Sequence, residues 1–323
     1  MKLTMVARPP SDRNLRLLKQ LGVDHAVHYD MADLPDSRED ILALRDRYAQ
    51  YGLAWKIAES GPAIDRVVMG KDGAAEQTRR YARILGHLGA AGVEVVAYNF
   101  MPQVTEDAMV IRTAFDRKTR GDALTSGFRL ADLRPDTIVH TEKPIERERM
   151  WSNLERFLKA VLPAAEAAGV RLAMHPDDPP LPLLCGLERI MGTVEDFDRL
   201  LAISPSESNA LTLCFGCFAE RGYDIPALIG HFGQRIAFVH VRDIRGTIDD
   251  FIETFPDDGQ TDMLAAFGKL VEIGYDGYLR SDHAPQLAID TTGTSDGYSL
   301  EGHIFAIGYL RGLDHAARRL AGR

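Results

Sequence analysis

Short apolar runs of strand length alternate along this chain with longer segments whose apolar positions recur at helical spacing. KLTMVA (2–7) reads as a first strand, and NLRLLKQLG as a helix that Gly22 stops. DHAVHY (24–29) is a second strand, followed from Ser37 to Tyr51 by Ile41, Leu44 and Tyr48 at helical spacing before Gly52. LAWKIAES predicts a third strand, and a helix over about 75–91 carries Ala82, Leu85 and Leu88 on one face. VEVVAYNF is a fourth strand. After Pro102 the pattern fails until about Glu146, where MWSNLERFLKAVLPAAEAAG predicts a long helix leading into a fifth strand, VRLAMH. Three more strands are predicted at 210–214, 236–241 and 277–282, with helices over about 195–202, 224–233, 262–273 and 298–321. Eight strands alternating with helices imply parallel βαβ units, and that number favours closure. The expected fold is α/β, a (β/α)8 TIM barrel formed by residues 1–323 as one domain. The stretch 103–145 is expected to be a long loop or lid over the barrel mouth, because an unstructured connection of that size inside a compact domain usually covers an active site.

Composition narrows the function without changing the fold. The 323 residues are 45% hydrophobic, enough for a core of this size. No run approaches the roughly 20 apolar residues of a membrane span. MKLTMVARPPSDR is too short in apolar residues for a secretory signal, so a cytoplasmic protein is expected. A formal charge of −9 argues against a nucleic-acid partner, and the three cysteines are too few for a disulfide framework. Neither GxGxxG nor GxxxxGK[ST] follows the first strand, which removes the usual support for dinucleotide and P-loop readings.

The chemistry lies at strand ends. VRLAMHPDD, ALTLCFGC, IAFVHVRD and GYLRSDHAP each carry a potential metal ligand at the C-terminal end of an apolar run: His175, Cys214, His240 and Asp282. In a parallel barrel all such ends open on one face, where catalytic residues from different strands converge. Two imidazoles, a thiolate and a carboxylate suit divalent Zn, Fe or Mn, with positions left for substrate. Cys214 and Cys217 also form a C-x-x-C, but no second pair exists and the spacing opens no thioredoxin-like helix, so Cys217 is expected to be a neutral neighbour. Asp177 or Asp178 in HPDDPP is a candidate to orient the His175 ring, or simply a turn former. His283 and Tyr298 are placed to exchange protons at the barrel mouth, while Lys56, Glu59 and Asn99 are pocket-lining candidates by position. In the long loop, Arg112, Arg117, Lys118, Arg120, Arg129 and Arg134 are cations suited to an anionic substrate.

At these residues the chain resembles the mannonate dehydratase family, divalent-metal lyases of the xylose-isomerase-like barrel group. The similar segments include GLAWKIAESGP, LGAAGVEVVAYNFMP, MHPDDPP, GLERIMGTVED, LTLCFGC, FGQRIAFVHVRD, FIETFPDDGQTDM, YLRSDHAPQL and GYSLEGHIFAIGYLRGL. The resemblance implies metal ligation by His175, Cys214, His240 and Asp282, with Mn2+ or Fe2+ expected and Zn2+ or Co2+ compatible. It further implies catalytic roles for His283 and Tyr298. Substrate contacts are expected from Asn99, Arg112, Asp177, Arg242, Arg280 and His303. The implied reaction eliminates water from a sugar acid to give a 2-keto-3-deoxy sugar acid. Departures fall on the substrate side. The family's RPDHG is RSDHA here, GYSAIGR becomes GYSLEGH with His303 in place of an arginine, and two histidines are replaced by Ile252 and Pro256. An isomerase or epimerase of the same barrel group, and an inactive sugar-acid-binding barrel, are the alternative readings. The expected partners are a small-molecule sugar acid and further copies of the chain in a dimer or tetramer, with no nucleic acid and no membrane.

Overall fold

The computed structural model describes residues 1–29, 34–104, 110–133, 143–289 and 297–322. Arg134 and the remainder of the stretch up to 142 lie outside them. Eight parallel strands close into a barrel: β1 Lys2–Val6, β2 His25–His28, β3 Ala54–Glu59, β4 Val95–Tyr98, β5 Arg171–Met174, β6 Asn209–Cys214, β7 Ile236–Val241 and β8 Tyr278–Ser281. Each pairs with its neighbours in sequence and β8 pairs with β1, so every predicted strand takes its expected place.

Side-chain alternation along each strand builds two layers. Inward residues from all eight strands, among them Val6, Val27, Ile57, Val95, Ala173, Ala210, Phe238 and Tyr278, fill the barrel. Outward residues such as Met5, Ala26, Val96, Leu172, Leu213, Val239 and Leu279 pack against the helices. The predicted helices all form, and their ends are chemically marked. Ser11 accepts a hydrogen bond from the Asn14 amide at the start of Asp12–Gln20, Thr193 and Asp196 make a reciprocal cap on Val194–Ala202, and Asp262 caps Met263–Glu272.

Part of the expected long loop forms strands. Ala114–Lys118 and Leu124–Arg129 form an antiparallel pair, and Leu124–Arg129 continues onto Asp250–Thr254, which pairs with Asp243–Thr247. The result is a four-stranded sheet made from the segment after β4 and the segment after β7. Phe128 and Phe251 join Val104, Leu181, Leu184 and Ile244 in a separate apolar cluster beneath it. Gly127 is required in that sheet, because a Cβ there would lie 2.9 Å from the Phe251 carbonyl oxygen.

Candidate active site

Parallel register brings the four candidate ligands level. Cys214 on β6 sits opposite His240 on β7, and His240 opposite Arg280 on β8, while His175 and Asp282 are the residues after β5 and β8. One donor atom from each of His175, Cys214, His240 and Asp282 lies within 4.8 Å of all the others. The two imidazole rings are 5.0 Å apart between centroids, Cys214 Sγ is 3.8 Å from Asp282 Oδ2, and His240 Nδ1 is 3.4 Å from Asp282 Oδ1. Cys214, His240 and Asp282 are buried, and His175 is half-buried on the open side.

Two observations test whether a divalent cation fits. Both ring nitrogens of buried His240 lack a hydrogen-bond partner among the described residues, which is costly for a polar ring unless something else satisfies it. The His175 Nδ1 lies 2.7 Å from the Pro176 carbonyl. Donation to that carbonyl leaves Nε2 as the ligating nitrogen, the arrangement usual around metal-bound imidazole. The donor set and both histidines therefore suit a cation. Burial pushes the Cys214 thiol up, but contacts with Cys217, the Arg242 guanidinium and the two imidazoles outweigh it and hold the thiol well below its ordinary range. Burial likewise opposes a charge on His175, yet Cys214 and Asp282 raise its pKa to about 9.

A buried charge network underlies the cluster. Arg242 Nη1 donates to Asp178 Oδ2 at 2.8 Å and to Glu253 Oε1 at 3.0 Å, and its Nη2 reaches Glu220 and, at 3.2 Å, Cys217 Sγ. Gly216 makes this path possible, since a Cβ there would lie 2.1 Å from Arg242 Nε. Arg112 binds both oxygens of Asp178, at 2.7 and 2.8 Å, and Glu253 Oε1 at 2.7 Å. Arg280 Nε donates to Glu59 at 2.8 Å and its Nη2 to Asp282 at 2.9 Å. Asp177 accepts from the Met191 amide at 2.7 Å and faces Arg189.

These placements turn four of the six expected substrate contacts inward. Arg112, Arg242 and Arg280 have side chains no more than 4% exposed and already meet carboxylates, and Asp177 braces a loop rather than the His175 ring. Lys56 is likewise misplaced by the positional reading, as it pairs with Glu94 at 2.7 Å away from the strand ends. Asn99 stays half-buried at the end of β4, its Oδ1 accepting from the Met101 amide at 3.4 Å. His303 is buried beside Ser281 Oγ at 2.9 Å. Burial, with Arg280 and His283 nearby, lowers its pKa to about 3, so it is a neutral polar group where an arginine would carry charge.

His283 and Tyr298 come together above the cluster, with ring centroids 5.2 Å apart. Tyr298 also stacks on Tyr29 at 5.6 Å, and the Arg8 guanidinium lies 5.2 Å over the Tyr298 ring. His283 Nδ1 is 2.7 Å from Glu253 Oε1, and its Nε2 is 4.0 Å from Asp282 Oδ1. Tyr29, Arg8, Glu253 and Glu220 are absent from the candidates chosen at strand ends. Tyr29 and Arg8 stand just beyond β2 and β1, where the same rule would have found them. Glu253 comes from the added sheet, and no local signal marks it.

Glu59, picked out by position alone, closes the cluster with Oε2 3.6 Å from His240 Nε2. Burial opposes its ionisation, yet Arg280 and His240 bring the carboxyl down from 4.5 to about 2. A depressed folded pKa contributes stability that is complete above the unfolded value and is lost as pH falls through about 2. Glu59→Gln should therefore cost roughly 3 kcal/mol near neutrality. In urea unfolding the gap from the parent protein should shrink by more than half near pH 3. An equal gap at both pH values would show that the loss is steric rather than electrostatic.

A sequence model of the D-mannonate dehydratase (UxuA) family matches residues 11–125 and 122–322. The chain belongs to the D-mannonate dehydratase family. It is 30% identical to mannonate dehydratase 2 of Halalkalibacterium halodurans, over 97% of this chain and 98% of that protein. Identity to the mannonate dehydratase of Streptococcus pneumoniae is 32%, over 88% of this chain and 84% of that protein. The crystal structure of mannonate dehydratase from Streptococcus suis serotype 2 matches with a TM-score of 0.89 at 31% identity, covering 100% of this chain and 96% of that one. A structure of L-ribulose 3-epimerase matches at a TM-score of 0.60 and 17% identity, a likeness of fold alone. The D-mannonate dehydratase family is one of hydro-lyases, and no helix among the described residues is long and apolar enough to cross a membrane.

Proposed function

We propose that the protein is a metal-dependent hydro-lyase acting on a sugar acid, D-mannonate or a close relative, with a 2-keto-3-deoxy sugar acid as product. The observation that carries this reading is the convergence of four donor atoms within 4.8 Å, with His283 Nε2 4.0 Å from Asp282 Oδ1 and its ring paired with Tyr298. His175, Cys214, His240 and Asp282 would hold the divalent cation, Mn2+ or Fe2+ in preference to Zn2+ or Co2+. When bound, such a cation supplies charge stabilisation for the oxygen that becomes negative as the proton beside the carboxylate is removed.

The chain's own groups provide the rest. One of His283 and Tyr298 takes the C2 proton, the other protonates the departing C3 hydroxyl, and the enol left behind becomes the keto acid. Burial and the nearby Tyr29 raise the pKa of the Tyr298 hydroxyl above its usual range, so the hydroxyl is protonated in the resting site. In this reading the four-stranded sheet, whose Glu253 meets His283, would keep water from the reacting atoms and would make one domain with the barrel. The free cysteines Cys185, Cys214 and Cys217 are in keeping with a reducing compartment such as the cytoplasm. Exposed Phe115, Ile289 and Phe305 leave apolar surface that a dimer or tetramer would cover.

His303, Ile252 and Pro256 stand where the family pattern has an arginine and two histidines, removing groups able to bind a carboxylate and hydroxyls. Loss of such partners shifts discrimination by orders of magnitude, so the preferred substrate should be a relative of D-mannonate. Metal-loaded protein assayed against a panel of aldonic acids and keto-sugars, with product mass recorded, tests both statements. Loss of one water from an aldonate other than D-mannonate is the expected result. Unchanged mass with altered mobility would replace the lyase by an isomerase, and no change in any compound would replace it by a binding protein. Turnover of D-mannonate with kcat/KM above about 10⁴ M⁻¹s⁻¹ would overturn the shifted preference.

A further inference from the structure

Glu253 stands out among the buried carboxylates because its two oxygens face different parts of the molecule. Oε2 accepts from Ser126 Oγ at 2.6 Å, so the neighbouring strand of the added sheet holds the carboxylate in place. Oε1 meets His283 Nδ1 at 2.7 Å, with Arg112 Nη2 at 2.7 Å and Arg242 Nη1 at 3.0 Å on the same atom. The side chain is 2% exposed, which excludes water as a competing partner. Arg112 is also bound by both oxygens of Asp178, and Arg242 by Asp178 and Glu220, so each guanidinium has a further partner besides Glu253.

We propose that Glu253 is a positioning residue that fixes the ring orientation and tautomer of His283. An ionised carboxylate can only accept, so the proton between the two groups belongs to Nδ1 of the imidazole. The neutral ring then has a bare Nε2, and that nitrogen lies on the side of the donor cluster, 4.0 Å from Asp282 Oδ1. Without an acceptor at Nδ1 the two tautomers compete, and the ring loses the contact that sets its plane. The proton-transfer nitrogen of a barrel residue is in this way selected by a residue of the added sheet. Seating that sheet on the barrel completes the site, with Ser126 and Arg112 holding Glu253 from two sides.

This inference rests on the proposed role of His283 in proton transfer, and two measurements separate them. In Zn2+-loaded holoprotein labelled with 15N-histidine, at a pH where the ring is neutral, the His283 signal is identified by its absence in His283→Asn. The proton should reside on Nδ1 in the parent protein, and Glu253→Ala should give a mixture of tautomers. On the substrate found in the aldonate panel, Glu253→Ala should lower kcat by roughly 10–100-fold with KM little changed. Glu253→Gln, which still offers an amide oxygen to Nδ1–H, should restore part of that loss. A proton on Nε2 in the parent protein overturns the proposal even if Glu253→Ala fails to fold. Unchanged kcat in folded Glu253→Ala overturns it as well. Full turnover by His283→Asn would instead sink the proton-transfer role itself, while the parent protein's Nδ1 signal remains.

Discussion

Parent protein purified without chelator is expected to carry stoichiometric divalent metal, and protein carrying both Cys214→Ala and His240→Ala should lose it. The parent site offers a thiolate, a carboxylate and two imidazoles within 4.8 Å. The double variant keeps only His175 and Asp282. Disturbing even the outer partners of metal ligands typically costs 10–100-fold in affinity, and deleting two ligands themselves should exceed that. Turnover should fall by at least the roughly 10²–10³-fold seen when a single stabilising contact to a developing oxyanion is removed.

The fold should survive, since Asp282 remains paired with Arg280 at 2.9 Å and the variant discards an imidazole whose nitrogens have no hydrogen-bond partner among the described residues. A thermal readout distinguishes lost ligation from lost folding. A ligand present about a thousandfold above its Kd stabilises the folded state by about 4 kcal/mol, so chelator should lower the melting temperature of the parent protein and leave that of the variant unmoved. Elemental analysis decides the matter, and full metal occupancy in the double variant would remove these residues from the ligand set.

The second large effect is expected at the two groups above the cluster. His283→Asn and Tyr298→Phe should each reduce kcat by roughly 10²–10⁴-fold, the usual contribution of a positioned acid or base, with metal content unchanged. Tyr298→Phe is the cleaner of the two. It retains the ring that stacks on Tyr29 at 5.6 Å and meets His283 at 5.2 Å, and removes only the hydroxyl. His283 is 13% exposed, so asparagine can occupy its place without leaving a large void. Turnover by Tyr298→Phe at the parent rate would exclude its hydroxyl from proton transfer, and loss of metal from either variant would move that residue into the ligand set.

What could be read early and what could not divides along the range of the interactions. Cys214 and His240 lie on successive strands at the same register, and a parallel barrel leaves strand ends nowhere to go but one rim. The Arg112 guanidinium, by contrast, depends on Glu253, 141 positions away. Nothing in the segment around Arg112 says whether the side chain meets a substrate or an internal carboxylate. The helix Phe215–Glu220 was hidden for another reason. FGCFAE is buried on every side, so it has no polar face from which a helical period could be recognised. Ala114–Lys118 and Leu124–Arg129 show no strand pattern in the sequence, because strands that alternate weakly and carry charge acquire their structure from the partner they pair with.

The sequence by itself determined the eight-strand alternation, the caps that begin its helices, and the set of donor side chains at successive strand ends. All of these follow from spacing within a few residues, where 2.0 and 3.6 periodicities dominate. Only the tertiary structure decided that Asp177, Arg112, Arg242 and Arg280 turn inward, that Glu59 closes the donor cluster, and that Glu253 arrives on a separate sheet to meet His283. Those outcomes depend on which buried charge finds which partner. A charge removed from water must be neutralised and hydrogen-bonded by whatever the fold brings near, and the chain's linear order does not say what that will be.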